Sequence, residues 1–214
     1  MRPVVILFAK APAPGRVKTR LHGRYLPEQA AALHDAFVRD LLASLARSRA
    51  AWDVELHTDI PTDAWSELGV PRRLQVAGDL GCRMLHALET SLGEGRPRAM
   101  ILGADIPALP PGRIERLLAA PSDVALGPTA DGGYYAIACR RTQAGMFDGV
   151  AWSTDGALAQ TVAACERCGL SVELGEPWFD VDHPADVERL ARLSDIPAHT
   201  RAWLVRNAPE LLPG

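Results

Sequence analysis

Six consecutive apolar residues, Val4–Ala9, cut off by Lys10 and followed by a proline-stiffened basic loop, constrain this chain more than any other feature. A strand with one face in water alternates apolar and polar side chains. An uninterrupted apolar run needs cover on both faces, as in sheets packed between helices. Shorter apolar runs recur along the sequence and alternate with longer stretches of helical period, the pattern of an α/β sheet. Asp53–His57, Arg73–Val76, Ala99–Leu102, Val124–Leu126, Tyr135–Ala138 and Val172–Leu174 read as the further strands.

The first helix starts near Pro27, where a missing N–H costs nothing. It carries Leu33, Phe37, Leu41 and Leu45 at four-residue spacing, with Val38 and Leu42 widening the stripe. Further helices begin near Asp79, span Ile114–Leu118, run from Leu158 to Cys168, and run from Val187 to Leu193. No repeat, charge block or linker interrupts the pattern. The sequence therefore predicts one α/β domain over residues 1–195, with 196–214 a docking helix carrying Trp203 and Leu204, or a tail.

Charge and composition exclude several classes. With 23 Lys+Arg against 26 Asp+Glu, no basic surplus exists for counterion release, so nucleic acid is not expected as a partner. Hydrophobic residues at 48% and charged ones at 23% exclude a disordered chain. No stretch of about 18 apolar residues provides a membrane span. Val4–Ala9 is too short and too quickly followed by charge to read as a signal peptide. Cys82, Cys139, Cys165 and Cys168 fit reduced thiols, and Cys165 and Cys168 fit two thiols on a helix face better than a zinc pair. The cytoplasm is the expected compartment; the oligomeric state is not readable.

Ligands of open α/β sheets collect beyond the carboxyl ends of strands, near the point where strand order reverses. Residues 9–21, AKAPAPGRVKTRL, follow the first strand and hold Lys10, Arg16, Lys18 and Arg20 in a loop stiffened by Pro12 and Pro14. Gly15 lets the backbone approach a ligand closely. Charge alone fits a solvated loop equally well; the position after the first strand favours phosphate. No glycine directly precedes Lys18, so this is not a Walker loop.

In Gly78-Asp79-Leu80-Gly81-Cys82-Arg83, Asp79 reads as a helix N-cap, while Gly78, Gly81 and Arg83 suit a nucleotide against exposed helix N–H groups. Asp105, at the end of a buried strand, suits Mg²⁺ or Mn²⁺ or a plain turn. Asp180 and Asp182 alternate and so share a side if extended, and one of them completes the metal shell; Asp182 equally suits a cap for the helix at Pro184. His183 reads as exposed. Asp131, before Gly132 and Gly133, sits in a turn and is the candidate acceptor base; Tyr134, Trp152 and Ser153 are candidate pocket residues.

Taken in order, FAKAPAPGRVKTRL, GDLGCRM, LGADIP, GPTADGGYYAIA, AWST and DVDHPADV closely resemble a family of short bacterial glycosyltransferases with the nucleotide-diphospho-sugar transferase (glycosyltransferase type A) fold. Some of its members are tied to arsenosugar biosynthesis. The resemblance spans residues 4 to about 193. It implies a three-layer α/β/α domain with a mostly parallel mixed sheet, a nucleotide-sugar donor, and Lys18 and Arg20 on the phosphates. It also places Asp105 where a DxD-like motif holds metal; position 107 is Pro, so the second ligand is Asp182 or Asp180. The family more usually has Thr at His183, which leaves that residue's role open. The same segments are similar to phospholactate guanylyltransferases, molybdenum-cofactor guanylyltransferases and related cytidylyltransferases. Nucleotidyl transfer with release of pyrophosphate is thus the alternative activity. A nucleotide-binding module without catalysis is the second alternative.

Overall fold

β1 (Val4–Ala9) runs through the middle of a seven-stranded sheet with its side chains covered on both faces, as its uninterrupted apolar sequence requires. A computed structural model describes residues 1–47 and 51–213. β1 pairs in parallel with β2 (Asp53–Thr58) on one side and β4 (Ala99–Gly103) on the other. β3 (Arg72–Leu74) closes the β2 edge; the chain leaves the sheet two residues before the expected end at Val76. Beyond β4 come β6 (Tyr134–Cys139), β5 (Val124–Pro128) and β7 (Val172–Leu174), giving the order β3-β2-β1-β4-β6-β5-β7. Only β6 runs against its neighbours, so the sheet is mixed and mostly parallel, as expected.

Alternate residues of β1 serve two cores. Val5, Leu7 and Ala9 face α1 (Pro27–Arg47) and α3 (Pro111–Ala119), packing with Val38, Leu41, Leu42, Leu45, Ile114 and Leu117. Val4 and Ile6 face α2 (Leu80–Gly93) and α4 (Ala157–Arg167), packing with Met84, Leu88 and Cys165. This is the three-layer α/β/α arrangement, and each fully buried Leu or Phe in it contributes about 1.5–3 kcal/mol.

α1 is buried along a second stripe. Leu33 and Phe37, which its spacing placed on one broad face with Leu41, turn away from the sheet. They pack with Val187 and Leu190 of α5 (Pro184–Ala191) and Trp203 and Leu204 of α6 (Ala198–Asn207). Among the described residues no helix is long and apolar enough to cross a membrane.

Candidate functional site

From β1 the chain continues to β2 toward one edge of the sheet and from β4 to β5 toward the other, and at the carboxyl ends of these neighbours a cleft of about 780 Å³ opens. That is the strand-order reversal at which open α/β sheets hold ligands. Lys10, Thr19 and Arg20 line it from the β1 side, with Gly78, Asp79 and Arg83 at the start of α2. Asp105 follows β4. Asp131, Gly133 and Tyr134 come from the β5–β6 hairpin, Trp152–Asp155 from the segment before α4, and Asp180 and Asp182 from the segment before α5.

The basic loop is anchored by Asp59, which accepts from the Ala11 N–H at 2.8 Å and lies 3.7 Å from Arg16. Gly15 and Arg16 stand outside the cleft lining, and the Arg16 side chain is exposed. Lys18 adopts a left-handed backbone, φ 49°, and its side chain is 2% exposed. Its ammonium binds Asp105, Asp182 Oδ1 at 3.1 Å and the Val181 carbonyl at 2.6 Å. The cation expected at the phosphates therefore sits between the two carboxylates expected on the metal. Arg20 reaches Asp182 Oδ2 at 3.0 Å with half its side chain in solvent. Behind the loop, His34 Nε2 bonds the Lys10 carbonyl at 2.9 Å, and burial holds its imidazole below its ordinary pKa.

Asp105 and the segment 178–182 are joined by the backbone: the Val181 N–H donates to the Asp105 carbonyl at 2.8 Å. Phe179 and Val181 are buried, and Asp180 and Asp182 face the cleft, the alternation of an extended strand. Burial works to raise the Asp105 pKa, but the Lys18 ammonium, with His34 and Lys10, brings it below the usual carboxylate range. Asp180 goes the other way. Burial, together with the Asp131, Asp182 and Asp105 carboxylates, pushes it up to about 6. Asp182 does not cap α5: the N-cap is His183, and Asp186 in the first turn reaches back, its Oδ2 accepting from the His183 N–H at 2.7 Å and the Asp182 N–H at 3.1 Å. This frees the Asp182 carboxylate for Lys18 and Arg20, and His183 is exposed.

The hairpin turn is fixed by close packing. Gly132 has φ +86°, and a Cβ there would stand 2.0 Å from the Asp155 carbonyl oxygen. The Leu158 N–H donates to the Gly132 carbonyl at 2.9 Å, tying the turn to α4. Asp131 Oδ1 accepts from the Thr129 hydroxyl and, at 3.1 Å, from the Gly133 N–H, which leaves Oδ2 for a ligand. Asp79 is the N-cap of α2, accepting from the Cys82 N–H at 2.8 Å. A Cβ on Gly81 would lie 3.0 Å from Phe147 and 3.1 Å from Trp152, so this glycine lets α2 meet the Trp152 ring. Trp152 in turn packs on Phe147 and edge-on to Tyr134. Sequence reasoning missed Asp155, Thr129 and Asp59. The Asp-Gly pair at Asp155-Gly156 was a turn signal that could have found the first.

Among the described residues no group of three or more His, Cys, Asp or Glu side chains is placed to hold a metal ion. The oxygens that converge are two carboxylates and one carbonyl, all on Lys18, so an ammonium stands where a hard cation would suit the donor set. Two carboxylates are also what Mg²⁺ ordinarily takes from protein when phosphates supply further oxygens.

No curated protein matches the chain. A Desulfovibrio desulfuricans G20 protein, provisionally described as a nucleotide-diphospho-sugar transferase, is 31% identical with a TM-score of 0.88, covering 99% of this chain and 97% of that one. A CMP:2-keto-3-deoxy-manno-octonic acid synthetase complexed with CTP is 15% identical with a TM-score of 0.58, over 89% and 97% of the two chains. The 2-C-methyl-D-erythritol 4-phosphate cytidylyltransferase of Thermus thermophilus is 20% identical with a TM-score of 0.52, over 90% and 100%. These last two likenesses show the fold. The family described as "Uncharacterized protein conserved in bacteria (DUF2064)" matches residues 30–154. The chain belongs to that bacterial family and has the nucleotide-diphospho-sugar transferase fold.

Proposed function

We propose that this chain is a divalent-metal-dependent transferase that takes a nucleotide-diphosphate sugar and passes the sugar to an acceptor hydroxyl. The observation that carries the reading is the division of charge across one cleft. Lys10, Arg20 and Arg83 occupy the β1–α2 side, where the Asp79 carboxylate is taken up as the N-cap of α2, while Asp131, Asp155 and Asp180 on the far side have no ion-pair partner among the described residues. The cationic side suits a diphosphate. A phosphorylated acceptor would meet unpaired carboxylates on the other side, whereas a hydroxyl acceptor would meet hydrogen-bond acceptors, which favours sugar transfer over nucleotidyl transfer.

Asp105 and Asp182 would hold Mg²⁺ or Mn²⁺. Bound there, the ion neutralises the diphosphate and draws charge off the leaving group. Arg20 and Lys10 steady the departing phosphates, with Arg83 at the α2 end. Asp131, fixed through Oδ1, takes the acceptor proton on Oδ2 as the sugar–phosphate C–O bond breaks and the new C–O bond forms. Trp152 and Tyr134 provide the apolar wall for the sugar ring.

A thermal-shift screen of nucleoside mono-, di- and triphosphates and nucleotide sugars, with and without Mn²⁺, tests this. A ligand at about a hundred times its Kd adds about 2.7 kcal/mol. Metal-dependent stabilisation confined to diphosphates and one nucleotide sugar is expected. Stabilisation by triphosphates alone would replace sugar transfer with nucleotidyl transfer. Nucleotide stabilisation without turnover of any donor would leave a binding module.

A further inference from the structure

The contacts of Lys18 carry one step beyond this reading, on which the step rests. We infer that Lys18 is a tethered cation that fills the metal position of the free protein, so that the divalent ion enters only together with the phosphates of its nucleotide.

An ammonium has three protons to donate. Lys18 has three oxygens to receive them: Asp105 Oδ1, Asp182 Oδ1 at 3.1 Å and the Val181 carbonyl at 2.6 Å. The Phe37 ring lies 5.5 Å from the nitrogen, and the side chain is 2% exposed. Its hydrogen-bonding capacity is therefore used up within the protein, in a place built from hard oxygen donors. The residue also holds a left-handed backbone, φ 49° and ψ 38°, which L side chains adopt at a cost. A loop lysine meant only to reach solvent phosphates needs neither feature.

A free divalent ion approaching this pair meets two cations already balancing its two charges, the buried Lys18 ammonium and Arg20 on Asp182. Asp105 and Asp182 are also too few for a protein-only site, since Mg²⁺ takes one or two carboxylates and completes its shell with water and substrate phosphates. Phosphates change both sides of the balance. They add oxygens for the metal, and they give the ammonium an alternative anionic partner. Lys18 thus acts as a positioning residue that sets the order of loading and keeps the carboxylates paired in between.

The test is Mn²⁺ binding, read by water-proton relaxation, to the wild type and to Lys18→Met, with Mn²⁺ alone and with Mn²⁺ plus inorganic pyrophosphate as a base-independent probe. The wild type is expected to bind Mn²⁺ alone weakly and to form a protein–Mn²⁺–pyrophosphate complex at least tenfold more readily. Lys18→Met is expected to bind Mn²⁺ alone at least tenfold more tightly than the wild type. Equal or weaker Mn²⁺ binding by the variant, with the wild-type ternary complex intact, overturns the inference and leaves the proposed function standing. No Mn²⁺ complex in either protein under either condition overturns the metal site itself, and this inference with it. Should Lys18→Met not fold, Lys18→Gln, which retains a donor for the Val181 carbonyl, takes its place with the same expected outcomes.

Discussion

Asp40 of α1 accepts from both the backbone N–H and the hydroxyl of Thr200 at 2.7 Å, across 160 residues of sequence, and from the His199 N–H at 2.9 Å. The N-cap of α6 is Pro197, which has no side-chain oxygen to offer, so the first turn of α6 is capped by another helix. Asp40 is 6% exposed, and among the described residues its carboxylate makes no further hydrogen bond.

Replacing Asp40 by Ala leaves the buried N–H and hydroxyl of Thr200, and the part-buried N–H of His199, without their partner. A loss of about 2–3 kcal/mol is expected from unsatisfied buried donors and a missing cap. Urea unfolding of Asp40→Ala checks it, and a change under about 0.5 kcal/mol, the range of ordinary surface substitutions, would contradict the cap.

Gly132→Ala puts a methyl group 2.0 Å from the Asp155 carbonyl oxygen at a φ of +86°, so either the turn or the Asp155 backbone must move. Destabilisation of about 2–4 kcal/mol is expected, the range of overpacking plus backbone strain. Gly149→Ala, also at positive φ but with open space around it, serves as the control for strain alone and should cost clearly less.

For Asp131→Asn the turn survives, because an amide oxygen still accepts from Thr129 and Gly133. Turnover of the donor identified by thermal shift should fall by about 10²–10⁴, the usual contribution of a general base. Nucleotide-induced stabilisation should stay at the wild-type value. Retained turnover would remove Asp131 from the chemistry.

Asp123 provides the pH dependence. Its carboxylate joins the starts of β5 and β7, accepting from Ser171 N–H and hydroxyl at 3.0 Å each and from Arg140 and Arg141. These bonds, the Ser171 backbone first, lower its pKa from 3.8 to about 2. Because the folded-state value lies below the unfolded one, the contribution is complete above about pH 4 and is lost as pH falls through about 2. After solvent screening it is on the order of 1 kcal/mol. The stability difference between wild type and Asp123→Asn should therefore shrink between pH 4 and 2; a constant difference would contradict the assignment.

Where periodicity and turn chemistry act locally, the sequence was readable. β1 and β7 fall on Val4–Ala9 and Val172–Leu174 as read, α1 begins at Pro27, and Asp79 caps α2. Each of these rests on neighbours within a few residues. Contacts across the chain were not readable in the same way. Leu33 and Leu41 look alike as apolar positions of one helix, and only the arrival of α6 sends the first away from the sheet. Lys18 and Arg20 look alike in a basic loop, yet Lys18 is drawn inside because Asp105 and Asp182 converge on it from distant segments. That convergence depends on the Val181–Asp105 backbone bond, which leaves no trace in either local sequence.

The double burial of α1 also sets an order of assembly. β1, α1 and β2 are adjacent in sequence and their contacts close short loops, so they can form while the chain is still being made. The stripe of Leu33 and Phe37 is not fully covered until Val187 and Leu190, and then Trp203 and Leu204, have been synthesised. At about 5–20 residues per second, that leaves an apolar helix face open for on the order of ten seconds or more on every nascent chain. The stage most exposed to aggregation or chaperone capture is thus the interval before α6 docks, and Asp40 is the residue waiting to receive it.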